Sequence, residues 1–492
     1  MDPYGDLDRA ARRLAARKDW QALWELVCSA PVAGAVRAAR HLRPRRWSPP
    51  DGPARLLASR LLAADPAVAA RVETDAAART TRIRPLPPPP AGLVSFAPPP
   101  GRPLAAVGLP DSPADTAGGQ GRGQGRRSWR LGTLDAAGSW TQVYRGAAEH
   151  SAIGCLDAAT VLAIRRPDHG AAGGWTLVRY SAAGPPTVLS RDDSLAGASL
   201  AVTAHGYLIG LNFDAVVLVG AAGDDEPPTA VLLANHAILK ANCLAVDPSG
   251  TRVAFGDIGL LVTDARVREC LAEAAERPFH GEVGGVVFTS ADTLVTAGRD
   301  GGLCRWRLDH GKARPLTVAE TPPLGRLFAV PAWHVVGGRG PHGPLFFDAT
   351  TLLPVTRPRW TVGPHQPHTI DTLAASADGR LVLCAGQPPT GPPPARPAAP
   401  VTAVHDLDHP LSWLARPLAS LTRADHAALT ALLDPPAPGP HPPAGHPGPL
   451  LSPRERQMLD LVRTAAAVRA GDQTDPAAAP TPTADRPRAD RS

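Results

Sequence analysis

From about Pro103 to Leu421 the chain repeats one grammar: an apolar strand, a polar turn, a second strand, a Gly/Asp turn and a third strand. Matching segments begin near Leu104, Ile153, Leu200, Cys243, Gly285, Gly325 and Thr372. The recurrence is roughly 40 to 50 residues, the length of one supersecondary unit, and a unit that small cannot bury its own apolar faces. Consecutive units must stack on one another, so this span is predicted to be mainly β. CLAVDPSGTRVAFGDIGLLVTD from Cys243 and GRLFAVPAWHVVGGRGPHGPLFFD from Gly325 are two instances. In a third, DTLAASADGRLVLCAG from Asp371, the next strand (Val401 to Asp406) follows a proline-rich insertion.

The fifth unit carries more than rhythm. His280 precedes its first strand, Thr296 lies on the second, Asp300 sits in the turn before Gly301-Gly302, and Trp306 closes the third. Alternation along Leu303 to Leu308 sends Cys304, Trp306 and Leu308 to one side. This order and spacing resemble one complete blade of a WD-repeat β-propeller. The resemblance implies a structural tetrad in which Asp300 accepts a hydrogen bond from His280, His280 contacts Thr296, and Thr296 reaches the Trp306 indole. A buried network of that kind fixes strand register when every member is satisfied. The fourth unit keeps Asp257 and Thr263-Asp264, and the seventh has His368 and then His405-Asp406 where Trp-Asp would stand. The remaining units keep the strand rhythm alone. The implied fold is a seven-bladed WD-like β-propeller with a small N-terminal α-helical domain and C-terminal helices. That layout is also similar to WD-repeat proteins of GC-rich bacteria, a likeness that implies no particular activity.

Five segments are expected. Residues 1–80 have a helical period, with Leu7, Ala10, Ala11 and Leu14 on one stripe, Asp19 a helix cap, Pro31 opening a helix and Asp65-Pro66 capping another. Residues 81–103 are proline-rich, with runs at 87–90 and 98–100, and read as a stiff spacer. Residues 104–421 form the propeller, interrupted by two insertions, 118–127 and 387–400, that read as surface loops. Residues 422–470 hold C-terminal helices, the first capped by Thr422 and the second opened by Ser452-Pro453, with a Pro/Gly/His linker between them. The composition of residues 471–492 predicts a disordered tail.

Charge and cysteine usage narrow the setting. Net charge is +6, and most of the excess falls in the helical N-terminal segment, densest at Arg43, Arg45 and Arg46. A solvated basic face accounts for it. The 6 cysteines are dispersed with no CxxC pair, which suits a reducing compartment. The first residues are charged throughout and lack the apolar core of a signal peptide. The most apolar window, 195–223, is broken by His205, Asn212 and Asp214, so no membrane insertion is expected. The expected location is cytoplasmic.

Catalytic signatures are missing from the sequence. It contains no G-x-S-x-G elbow, no Walker loop and no H-E-x-x-H. His365 with His368, and His441 with His446, lie in loop-like stretches without a Cys or carboxylate cluster, so no metal and no cofactor is expected. Leu451 to Leu459 resembles the opening of a LuxR-type DNA-binding domain, but the helix runs on into Pro-rich sequence without a recognition helix. Nucleic acid is not expected as a partner. The chain reads as a non-enzymatic scaffold that presents a propeller face to protein or peptide partners, with Arg299, beside Asp300, as the candidate contact. The alternatives are a propeller enzyme of hydrolase or lactonase type acting through the central channel, and a DNA-binding regulator.

Overall fold

The computed structural model describes residues 4–42, 47–49, 51–84, 86, 93–98, 104–110, 128–166, 174–211, 216–221, 226–233, 243–274, 281–341, 343–355, 369–376, 381–387, 401–434 and 451–472. Five helices come first: α1 (Gly5–Arg17), α2 (Trp20–Cys28), α3 (Val32–Ala39), α4 (Gly52–Ala63) and α5 (Pro66–Thr80). Asp19, Asp51 and Asp65 cap α2, α4 and α5, each carboxylate accepting a backbone N–H in the first turn. Such a cap satisfies one of the donors that a helix start leaves without an intrahelical partner.

β1 (Thr81–Arg84) continues α5 without a break. The first sheet holds β2 (Val94–Phe96), β3 (Leu104–Pro110), β4 (Trp129–Asp135) and β5 (Trp140–Gly146). The second holds β6 (His150–Asp157), β7 (Thr160–Arg165), β8 (Thr176–Ser181) and β9 (Gly184–Arg191). The third holds β10 (Ser199–Thr203), β11 (Gly206–Gly210), β12 (Val216–Gly220) and β13 (Thr229–Leu232). An eight-stranded sheet follows. One half is β14 (Cys243–Val246), β15 (Arg252–Gly256), β16 (Leu260–Asp264) and β17 (Cys270–Glu273). The other is β18 (Val283–Phe288), β19 (Thr293–Gly298), β20 (Leu303–Asp309) and β21 (Gly311–Ala319), and the halves join where β17 pairs parallel with β21. A three-stranded sheet holds β22 (Leu327–Val330), β23 (Val335–Gly340) and β24 (Gly343–Asp348). The last contains β25 (Thr369–Ala375), β26 (Leu381–Gln387) and β27 (Val401–Asp406), with β1 antiparallel to β27 as its fourth strand.

The sheets stand in a propeller-like arrangement. β2, β6, β10, β14, β18, β22 and β25 follow one another in chain order around a central channel. Strand alternation explains how neighbouring sheets hold together, because consecutive residues feed two different cores. In β15 and β16, Ala254, Leu260 and Val262 pack toward Phe288 and Trp306, whereas Val253, Phe255 and Leu261 pack toward Leu208 and Val217. Both faces are covered, so these strands read as continuous apolar runs. Val94, Ala105 and Val107 share a core with Leu381, Leu383 and Val404, which brings the first sheet against the last. Neighbouring strands in each unit are antiparallel. First and third strands therefore begin on one rim, here the upper, and end on the lower.

Two expectations change. The stretch 81–103 was expected to be a spacer, yet it supplies both β1 and β2. The prolines between these short strands obscure their alternation, and β1 is held through the β27 ladder rather than by its own sequence signal. The terminal helices, expected as separate segments, form one body. α6 (Arg423–Leu433) and α7 (Pro453–Asp472) bury Leu429, Met458, Leu459 and Val462 in the same core as Leu23, Val36 and Leu61. Arg60 reaches Asp460 at 2.7 Å and Arg79 reaches Glu455 at 2.6 Å across that junction. This body meets the lower rim, where Trp333 (after β22) and Leu407 (after β27) pack with Ala415. The insertion at 118–127, the tail beyond Asp472, and His365, His368, His441 and His446 lie outside the described residues, as does the insertion 387–400 apart from Gln387, the last residue of β26.

Candidate functional site

Thr296 and Trp306 meet inside the fifth unit. The indole Nε1–H donates to Thr296 Oγ1 at 2.8 Å, with both residues buried. Thr296 lies opposite Cys304 and Leu294 opposite Trp306, so the indole reaches diagonally across the strand pair. Asp300 occupies the β19–β20 turn and is exposed. The turn depends on Gly301, whose φ of 109° disfavours a side chain and whose Cβ would stand 2.5 Å from the Thr321 carbonyl oxygen. His280 lies outside the described residues. Its neighbour Gly281 passes beside Asp300, since a Cβ there would stand 3.4 Å from the Asp300 carboxyl carbon. Arg299 is exposed on the upper rim and pairs with Glu282 at 3.4 Å.

One residue recurs in more units than the Thr263-Asp264 and His405-Asp406 pairs indicated in sequence. An aspartate ends the third strand in five units, and in four of them, the fifth unit with Asp309 being the exception, its carboxylate accepts a backbone N–H from the turn that follows. Asp135 accepts from Ser139 N at 2.7 Å, Asp264 from Arg268 N at 2.6 Å, Asp348 from Thr351 N at 2.7 Å and Asp406 from Asp408 N at 3.0 Å. Thr263-Asp264 and His405-Asp406 were legible in sequence, whereas Leu134-Asp135 and Phe347-Asp348 were missed because the residue before the aspartate varies. His405, at the tryptophan position of the seventh unit, shares a 2.8 Å hydrogen bond with Thr81 Oγ1 on β1. Burial lowers its pKa to about 3, so it is neutral at pH 7. His150 behaves alike, at about 3, chiefly through burial and secondarily through Arg165.

The channel encloses about 490 Å³ between the first strands. Its wall is mostly aliphatic side chain and strand backbone, with Ser95, Ser151 and Ser199 among the polar residues. Two charged residues line it among the described residues, Arg326 and Asp247. Asp247, at the lower end, accepts from Ser249 Oγ at 2.6 Å, Thr251 N at 2.8 Å and Arg252 N at 2.9 Å. Arg326 stands at the upper mouth and donates to the Val94 carbonyl oxygen at 3.3 Å. The residue is exposed to the channel mouth, while burial of the guanidinium lowers its pKa. Arginine stays protonated regardless. Burial likewise pushes the Cys243 thiol, near the same mouth, up to about 12, which makes it a poor nucleophile.

A repeated backbone irregularity shapes that mouth. The pairing of β6 with β7 shifts between His150 and Ala152, that of β18 with β19 between Val283 and Gly285, and that of β25 with β26 between Ile370 and Thr372. Gly325 N bonds to Arg339 O at 2.7 Å while Leu327 faces Gly338, which is the same shift in the sixth unit. Each bulge sets an extra residue on the first strand: Ser151, Gly284, Arg326 and Asp371, of which the first three line the channel. Bulges re-aim side chains in this way. Among the described residues, no group of three or more His, Cys, Asp or Glu is placed to hold a metal ion, and no helix is long and apolar enough to cross a membrane.

No family model and no curated protein matches this chain. Among solved structures it is similar to a chain in the crystal structure of the mitotic checkpoint complex, at 12% identity over 66% of this chain and 94% of that one, with a TM-score of 0.44. The propeller-like arrangement described above stands on this chain's own strand pairing.

Proposed function

We propose that this chain is a non-enzymatic scaffold whose seven-bladed, WD-like propeller presents its upper rim to a protein or peptide partner in the cytoplasm. Dividing the eight-stranded sheet at the parallel β17–β21 pairing favours a count of seven units. The observation that carries the reading is the placement of the helical body. It meets the lower rim through Trp333, Leu407 and Ala415, while Arg299, Glu282 and Arg326 stand on the upper rim. Among the described residues no α-helix meets the upper rim, which suits docking there, because rigid sheets hold the rim residues in fixed positions. Asp247 is already engaged by its own turn, which favours a channel wall that holds its shape over one that reacts. Cys155, Cys243 and Cys270 are free thiols, in keeping with a reducing compartment.

The test is cross-linking of the full chain to co-purifying protein, with contacts mapped by mass spectrometry. Cross-links should cluster on the upper rim, and Arg299→Glu should reduce retention several-fold. Cross-links confined to the helical body, with retention unchanged in R299E, would reject the rim as the docking face.

A further inference from the structure

We propose that the upper mouth of the channel receives an acidic side chain, a glutamate or aspartate carried on an extended peptide of the partner, and that Arg326 is the group that binds it. This inference rests on the scaffold reading and names the chemistry its partner presents.

The first support is the state of Arg326. A guanidinium offers five N–H donors in a planar fork, and among the described residues its acceptor is a single carbonyl, Val94 O at 3.3 Å. No carboxylate among the described residues forms an ion pair with it. Glu282, the acid of the neighbouring unit's rim, pairs with Arg299 at 3.4 Å, and Asp247 lies at the lower end of the channel, held by its turn. Arg339, whose carbonyl bonds the Gly325 amide, adds a second exposed cation on the same rim with no ion pair among the described residues. Positive charge on this rim without an ion-pair partner among the described residues attracts an anion.

The second support is independent and comes from the backbone. The bulge that makes Arg326 the extra residue of its strand recurs in three other units. At two of those positions stand small residues, Ser151 and Gly284, both on the channel wall. A side chain at Gly284 would stand 2.9 Å from Arg299 Cγ, so that position stays empty. The small residues at 151 and 284 leave those two parts of the channel wall without a long side chain, while the equivalent position of the last unit is Asp371. The exposed Ser151 stands on the same wall.

The chemistry selects the ligand. The guanidinium fork matches a carboxylate through two parallel N–H···O bonds, and such charge-assisted bonds are the strong ones. Protein walls around the site reduce the screening that weakens exposed ion pairs. A small free anion would use the fork but not the wall, where Leu200, Leu244 and Leu327 offer apolar surface. An acidic side chain flanked by apolar residues on an extended strand uses both.

Fluorescence anisotropy with the full chain decides the matter. The probes are a labelled, C-terminally amidated peptide of alternating Leu and Glu, its Leu-Gln counterpart, and free glutarate as competitor. The Glu peptide should bind at least ten-fold more tightly than the Gln peptide, and glutarate should compete weakly. R326Q should abolish the Glu/Gln difference, and R326K should keep part of it, with thermal unfolding showing both variants folded. Equal binding of the two peptides, or binding of neither, overturns the proposal. So does an R326Q protein that loses stability while keeping the Glu preference, because Arg326 would then serve the fold. Tight binding of glutarate alone would make this a small-anion site and also overturns it. A cross-linked partner on the upper rim, combined with equal Glu and Gln binding, sinks this inference and leaves the scaffold reading standing. A Glu-selective mouth without any rim partner does the reverse.

Discussion

The bond from Trp306 Nε1 to Thr296 Oγ1 joins two buried side chains, so neither atom has water to fall back on. Thr296→Val keeps the shape but leaves the indole N–H without an acceptor, and should cost about 1–3 kcal/mol in urea unfolding. Trp306→Phe in the T296V background should cost less than in the wild type, since the orphaned donor is then gone. The buried histidines set a pH dependence. His150 and His405 titrate at about 3 in the folded chain, against 6.5 in the unfolded one. Their stabilisation is complete above pH 6.5 and is lost as pH falls toward 3, by up to about 1.4 kcal/mol per pH unit for each group. Melting temperatures of His150→Gln and His405→Asn should therefore fall less steeply below pH 6 than those of the wild type. At this scale the Thr296–Trp306 pair was legible, because its spacing within three strands is fixed by tight turns. Arg326 was not. A bulge breaks the two-residue alternation from which facing is inferred, so a segment starting at Gly325 did not reveal which way Arg326 faces.

Helix starts were the most readable elements. Asp19, Asp65 and Thr422 cap as expected, and Ser452 exchanges hydrogen bonds with Glu455, since a cap needs only local residues. Strand β1 is the opposite case. Its four residues carry no turn signal and a proline run follows them, so only the distant β27 gives them a structure. This strand covers what would otherwise be the outer edge of the last sheet. Successive backbone N–H groups point to opposite sides of a strand, so of Arg82 and Ile83 one must face β27. The double substitution of Arg82→Pro with Ile83→Pro removes that ladder bond whichever residue makes it. It should lower the melting temperature and bring concentration-dependent association on size exclusion, because β27 becomes an open edge. An unchanged monomer peak would show that β1 is dispensable for closure.

Across the whole molecule, the chain itself ties the last sheet to the helical body. α5 runs straight into β1, and β27 leads within a few residues into the short 3-10 turn Pro410–Ala415, whose Leu411 and Leu414 are buried in the helical core. The strands that complete the last sheet are thus both anchored in helices. Sequence alone separated these parts, because the helices lie at opposite ends of the chain and their shared core has no local signature. Apolar burial and ion pairs make different forecasts about what holds the body together. Asp460 pairs with Arg60 and Arg463, and all three side chains are partly exposed, so Asp460→Asn should cost no more than about 1 kcal/mol. Removing residues 451–492 instead strips Met458, Leu459 and Val462 from the core around Leu23, Val36 and Leu61. Truncating one buried Leu or Met side chain of that kind to Ala costs about 2–5 kcal/mol. The truncated chain should lose its helical body, and with it the anchor of β1 and β27, so calorimetry should show the sheet transition falling as well. Two transitions in the intact chain, with the sheets melting at the same temperature in the truncated one, would mean that the ring closes without help from the helices.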